Sequence, residues 1–190
     1  PSNDGLVYFC GAIYNTNNCH NGFIGAINTT NATINNMAPG TMFISHAPLT
    51  YNGNSNSSID RLLIYRDNNA LFNILAVGGV GTIGNGATAN LTLQSFPSSF
   101  NHTNFPMNNK LVRIISLGNN INTGNDGIRY NLSLFQRSLT PNDQLIYLSG
   151  HSDEKPFIAS INPNGMVLDN ISYIKSSIQA NTKRAAYFDF

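Results

Sequence analysis

The chain predicts an all-β fold, an antiparallel β-sandwich of the jelly-roll or Greek-key kind with little or no helix. Two observations carry the expectation. Short runs rich in Val, Ile, Leu, Phe and Tyr recur along the chain, bounded by clusters of Asn, Gly, Pro and Asp, which is the pattern of strands and turns. Helix formers are scarce: 31 Asn, 17 Ser and 13 Thr stand against a single Glu, Glu154, and Asn and Ser favour turns and caps over helix interiors. No fixed-period repeat is present, so a propeller or solenoid is not expected.

Taken in order, strands are expected near Leu6–Tyr14, Phe23–Asn28, Thr41–Ala47, Arg61–Arg66, Ala70–Val77, Ala87–Leu93, Lys110–Leu117, Gly127–Gln136, Gln144–Ser149, Phe157–Ile161, Met166–Ile174 and Arg184–Phe190. Two junctions read as hairpins. In RLLIY-RDNN-ALFNIL, Asp67, Asn68 and Asn69 can take positive φ at the turn. In IASI-NPNG-MVLD, Pro163 presets a turn and Gly165 suits its left-handed position. Within GIRYNLSLFQ, Ile128, Tyr130, Leu132 and Leu134 share one face and Arg129, Asn131 and Ser133 the other, as in a strand with one face in the core and one in water. The best helical candidate is Ser172–Asn181. The longest stretch without strand signals, Gln94–Asn109, reads as an ordered loop pinned by its Phe residues.

With 190 residues the chain suits one domain, and its opening on Pro1 suggests a C-terminal piece of a longer protein. No basic segment followed by an apolar one marks a signal peptide in the sequence as given. No apolar run approaches the length of a membrane span. The formal charge is +1 with only 10% charged residues, and the sole adjacent basic pair is Lys183-Arg184. An electrostatic footprint for nucleic acid or anionic lipid is therefore missing.

The segment ILAVGGVGTIGNG contains Gly79-Val80-Gly81-Thr82-Ile83-Gly84, the written form of a dinucleotide-binding loop. That loop needs a helix opening at its third glycine and an acidic residue about 20 positions on. Here a strand-like run, ATANLTL, follows, and no Asp or Glu lies between Asp67 and Asp126. The glycines are read as a bend or bulge after a buried strand, Leu71–Val77.

Catalytic signals are weak. No G-x-S-x-G occurs, and His20, His46, His102 and His151 are widely separated; no enzymatic role and no cofactor are expected. GHSDEKP, Gly150 to Pro156, places His151, Asp153 and Glu154 close together, but a metal would need a fourth ligand from elsewhere. A solvated connecting loop is the simpler reading. NNINTGNDG, Asn119 to Gly127, has Asp126 as its only carboxylate, which is too little charge for strong calcium binding. Cys10 sits in an apolar run and Cys19 in a polar turn; a buried thiol plus a loop thiol is favoured, and a Cys10–Cys19 bridge is the alternative. Seven N-x-S/T sequons begin at Asn28, Asn31, Asn56, Asn90, Asn101, Asn131 and Asn170, against about five expected from composition, so they carry no evidence of secretion.

In size, composition and strand density, with hairpins such as RLLIYRDNNALFNIL and a final strand RAAYFDF, the chain resembles a trimeric viral fibre head, nearest in kind to the adenovirus fibre knob of AT-rich avian and reptilian viruses. It opens PSNDGLVYF and has no Trp, where mammalian knobs open on a Thr-Leu-Trp-Thr hinge, so no functional residue carries over. The resemblance implies an antiparallel sandwich, a homotrimer, exposure on the virion surface and attachment to a host-cell receptor, glycan or protein. A bacterial or phage adhesin with a lectin-like sandwich is the alternative. Contact residues are expected in exposed polar loops: Arg66, Asp67, Asn68 and Asn69 at the RDNN hairpin tip, and His151, Ser152, Asp153 and Lys155 in the connecting loop GHSDEKP.

Overall fold

The computed structural model describes residues 5–14, 20–34, 36–46, 56–66, 72–81, 89–97, 111–115, 133–136, 145–152, 155–162 and 167–173. These residues are all-β and antiparallel, as the sequence predicts, and contain no helix. Eleven strands follow one another: β1 (Leu6–Tyr14), β2 (His20–Asn28), β3 (Met42–His46), β4 (Ser57–Arg66), β5 (Phe72–Gly81), β6 (Ala89–Pro97), β7 (Leu111–Ile115), β8 (Ser133–Gln136), β9 (Ile146–Ser152), β10 (Lys155–Asn162) and β11 (Val167–Tyr173). They form three sheets: β1-β2-β3, β4-β5-β6-β7 and β8-β9-β10-β11. A jelly roll or Greek key pairs strands distant in sequence. Among the described residues every ladder joins consecutive strands, so each sheet is an up-and-down meander.

The second sheet is central. Its strand β5 reads FNILAVGGVG, with no charged residue, and its side chains alternate between two apolar clusters. Leu75 and Val77 join Tyr65, Leu91 and Leu93 against Ile146, Leu148, Phe157, Ala159 and Ile161 of the third sheet. Ile74 and Ala76 join Ile59 and Phe96 against Ile24 of the first sheet, with Tyr8, Cys10 and Phe43 packed around them. A strand buried on both faces is expected to be apolar at every position, and fully burying each large aliphatic chain contributes about 2 kcal/mol.

The glycine-rich end of β5 differs from its sequence reading. The strand does not end at Val77; it continues through Gly81, which pairs with Ala89. The irregularity lies in the partner strand. Ile59 pairs with Gly78 and Arg61 with Val77, so Asp60 is an extra residue in β4. A Cβ on Gly78 would overlap the carbonyl oxygen of Ser58 and lie 2.8 Å from the Cα of Ile59. Only glycine lets the bulged backbone of β4 lie this close. A second bulge sits in edge strand β11, where Ser160 pairs with Asn170 and Ile161 with Leu168, leaving Asp169 as the extra residue. Asp60 and Asp169 are the only acidic residues among those described, and both occupy positions that interrupt the ladder. Asp is disfavoured in regular strands, and a bulge removes it from the alternation of faces.

Asn28, the last residue of β2, is 0% exposed and organises the connection to β3. Its amide nitrogen Nδ2 donates to the carbonyls of Ala32 and Met37, both at 2.8 Å. Its Oδ1 accepts from the Thr30 backbone N–H at 3.0 Å. Its own N–H donates to Thr41 O, and its carbonyl accepts from Gly40 N–H. One buried side chain thus takes the place of a ladder for a loop that has none, each bond contributing about 1 kcal/mol net. Within the loop, Ile34 and Met37 exchange N–H···O bonds across a tight turn with Asn36 at φ 63°.

Both expected hairpins are present: Arg66 pairs with Phe72, and Asn162 with Val167. The proposed helix over Ser172–Asn181 gives way at its start, where Ser172 and Tyr173 pair with Ile158 and Phe157 in β11; the rest lies outside the described residues. Gln94–Pro97, expected to open a loop, extends β6, because buried Gln94 and Phe96 keep the strand paired with Ala76 and Ile74. The expected strand Arg184–Phe190 lies outside the described residues.

Two substitutions test this core. Gly78→Ala places a methyl group against fixed backbone and is expected to cost about 2 kcal/mol or more in urea unfolding. Thr92→Val should be neutral or stabilising by about 1 kcal/mol, because the Thr92 hydroxyl is fully buried and makes no hydrogen bond. A harmless Gly78→Ala would show that β4 does not press on β5 there.

Candidate functional site

The candidate contact residues lie at the ends of two hairpins on different sheets. At the β4–β5 end, Tyr65 is 2% exposed and its hydroxyl is 2.7 Å from the Ser95 hydroxyl, one sharing its hydrogen with the other. That bond and the Arg66–Phe72 pair hold the root of the hairpin on the central sheet. Asp67, Asn68 and Asn69 lie outside the described residues. At the β9–β10 end, Ser152 pairs with Lys155 and His151 with Pro156. His151, Ser152 and Lys155 are therefore strand residues rather than parts of a long connecting loop, a correction to the sequence reading of GHSDEKP. The cause is the alternation beneath them: Leu148, Gly150, Phe157 and Ala159 are all buried, which carries the pairing out to the turn. Asp153 and Glu154 lie outside the described residues. Among the described residues no three His, Cys, Asp or Glu side chains come together to hold a metal.

A second polar locus joins the first sheet to the central one. The N–H of His20 donates to Asn56 Oδ1 at 2.9 Å, and the N–H of Gly22 donates to Ser57 Oγ at 3.1 Å. A Cβ on Gly22 would lie 3.1 Å from Ile59 Cγ1 and 3.2 Å from the Ser58 carbonyl carbon, so glycine allows β2 to lie across the start of β4. The rings of Tyr14 and His20 meet edge to face at 5.1 Å. Cys10 faces the same junction as a free thiol. Burial pushes its pKa up from 9.0 to about 11, the Asp60 carboxylate adds to the rise, and the Arg61 guanidinium opposes it. A thiol held protonated is a poor nucleophile and a poor metal ligand. The proposed partner Cys19 lies outside the described residues.

The sequence does not show this junction: Asn56-Ser57-Ser58 reads as a sequon, and nothing local indicates that Asn56 and Ser57 accept backbone N–H groups of β2. Asn28 is a sequon residue too, yet it is fully buried and its amide nitrogen is committed to two carbonyls. Glycosylation there is incompatible with the fold. Asn31 and Asn170 are exposed, Asn90 is half-buried ahead of buried Thr92, and Asn101 and Asn131 lie outside the described residues.

The first sheet has a third feature, on the face turned away from the core. Cross-strand register puts Val7, Ile27 and Met42 in one row, and Phe9, Gly25 and Ile44 in the next. Gly11, Phe23 and His46 form the third row, and Ile13 with Asn21 completes the face. Its two aromatic residues each lie over a glycine of the neighbouring strand. A Cβ on Gly25 would overlap the Phe9 ring, and one on Gly11 would lie 2.8 Å from the Phe23 ring. The two rings meet edge to face at 6.0 Å. Cross-strand aromatic–glycine pairs of this kind pin register and cover backbone a small side chain leaves bare.

The Cys10 environment has a pH signature. Because the folded state keeps the thiol protonated to about pH 11 and the ordinary value is 9.0, its contribution to stability is fully present below pH 9. It is lost as pH rises through 11. Melting followed by circular dichroism should show wild type losing stability over that window relative to Cys10→Ala. In a Cys19→Ser background, Cys10 should also react far more slowly with a thiol reagent at pH 8 than a free cysteine peptide does. Equal rates would refute the buried, protonated thiol.

No family model matches the chain, and neither a curated protein nor a solved structure is significantly similar to it.

Proposed function

We propose that this chain is a non-enzymatic attachment head, of the kind carried at the tip of a viral fibre, which assembles as a homotrimer and engages a host-cell receptor through its hairpin ends. The observation that supports the reading is the rooting of the Arg66 hairpin. Tyr65, directly before it, is buried and hydrogen-bonded to Ser95 across the central sheet, so the strand that leads into the polar segment Asp67-Asn68-Asn69 is anchored. Recognition residues are disproportionately carried on loops positioned by a fixed scaffold. The chain is rich in neutral amides, with 31 Asn and a net charge of +1, a composition that suits hydrogen bonding to glycans or protein backbone more than long-range electrostatic capture.

Binding of the labelled chain to a glycan array and to cultured cells tests this reading. Arg66→Ala with Asn68→Ala, or His151→Ala with Lys155→Ala, is expected to weaken binding roughly tenfold in at least one pair, with the melting temperature unchanged. Full binding by both pairs removes these residues as contacts. Catalytic turnover in a broad hydrolase screen, abolished by substitution of a single His, would replace the attachment reading with an enzymatic one.

A further inference from the structure

We propose that the outward face of the first sheet is the surface through which copies of this chain pack against one another. The inference rests on the homo-oligomeric reading above and supplies what that reading lacks, a surface. Large apolar side chains stand unusually open there: Val7 is 44% exposed, Met42 58% and Ile44 43%. Phe9, Ile13, Phe23 and Ile27 share the face and are half-buried. No Asp, Glu, Lys or Arg occupies any position of β1, β2 or β3. Single exposed apolar residues are ordinary on protein surfaces; a continuous face of them marks an interface.

Area favours a protein partner. Strands of nine, nine and five residues, at about 3.4 Å per residue and about 4.8 Å between strands, cover roughly 400 Å² in projection. Side chains standing off the sheet raise the accessible area above that figure. The projected figure is about half of one side of a standard interface, about 800 Å². Its composition is close to that of an interface core, with aromatic residues and Met present, no carboxylate, Lys or Arg, and polar Asn21 and His46 only at its far end.

Charge selects among partners. A face without carboxylates, Lys or Arg, on which register places His46 as the one titratable residue, has little with which to steer a foreign protein or reject a wrong one by electrostatics. Its best complement is a flat, neutral, apolar face, and every further copy of the chain supplies one at equal concentration. With a net charge of +1, two copies meet almost no long-range repulsion. A lipid surface is a poorer match, because interfacial binding draws on Trp and on basic residues beside the apolar face. The chain has no Trp, and these three strands have no Lys or Arg. The aromatic–glycine pairs add rigidity: Phe9 and Phe23 are held before association, so little side-chain freedom is lost when the face is covered.

Sedimentation equilibrium and light scattering on the 190-residue chain at micromolar to submillimolar concentration test the proposal. Wild type is expected to be oligomeric. Met42→Lys with Ile44→Lys, both at exposed positions, should weaken association roughly tenfold or more while the far-ultraviolet dichroism of dilute samples stays unchanged. Val167→Lys, an equally exposed apolar position (51%) on edge strand β11, should leave association intact. An oligomer that survives Met42→Lys with Ile44→Lys overturns the surface while leaving the oligomeric reading in place. A monomeric wild type overturns both, as it would if the face were then found to hold a different protein or lipid vesicles.

Discussion

The structure depends on one constraint: β5 is apolar on both faces, and both faces must be covered. A strand at the rim of a domain can turn one side to water, but Ile74 and Ala76 point one way and Leu75 and Val77 the other, all at 0% exposure. The neighbouring strand β6 follows suit, with Leu91 and Leu93 toward the third sheet and Phe96 toward the first. Two further sheets are then required, and the chain supplies one before the central meander and one after it. The hydrophobic effect has no preferred direction; it is the alternation of β5 that converts it into a layered arrangement.

Polar groups inside this arrangement divide into those that hold it together and those that do not. Asn28 satisfies its side chain completely and replaces a ladder for the β2–β3 connection. Asn56 and Ser57 accept backbone N–H groups of β2 and so tie the first sheet to the second. Thr92 and Ser58, by contrast, bury hydroxyls that find no partner, and such groups oppose folding rather than assist it. Carboxylates are handled differently again, since Asp60 and Asp169 sit where the ladder is already interrupted.

Much of this was legible in the sequence, for reasons that can be stated. β1 is expected at Leu6–Tyr14 and occupies that span, because a mostly strand-favouring apolar run ends at the Asn-rich segment NTNN. The two hairpins were legible because turn residues break otherwise continuous apolar runs. β5 was expected to stop at Val77 since glycine signals a bend, yet Gly78 is there to admit the bulge of a neighbour, a fact that belongs to the pair of strands and not to either alone. His151 and Lys155 read as loop residues because a single sequence does not show that Gly150 and Phe157 face each other across a ladder. The exposed face of the first sheet was hidden for a simpler reason. In LVYFCGAIY both alternate sets are apolar, so periodicity could not say which set faces the core.

The meander topology carries a consequence for how the molecule is made. Among the described residues each sheet is closed by pairings between chain neighbours, so the loop-closure entropy of these ladders is small. During synthesis the first sheet leaves the ribosome whole before β4 appears. The central sheet then emerges beside a partner that already exists, with only its second face bare until the third meander follows. The order of the strands along the chain is thus also an order of shelter: β5 follows the sheet that covers its Ile74 and Ala76 face.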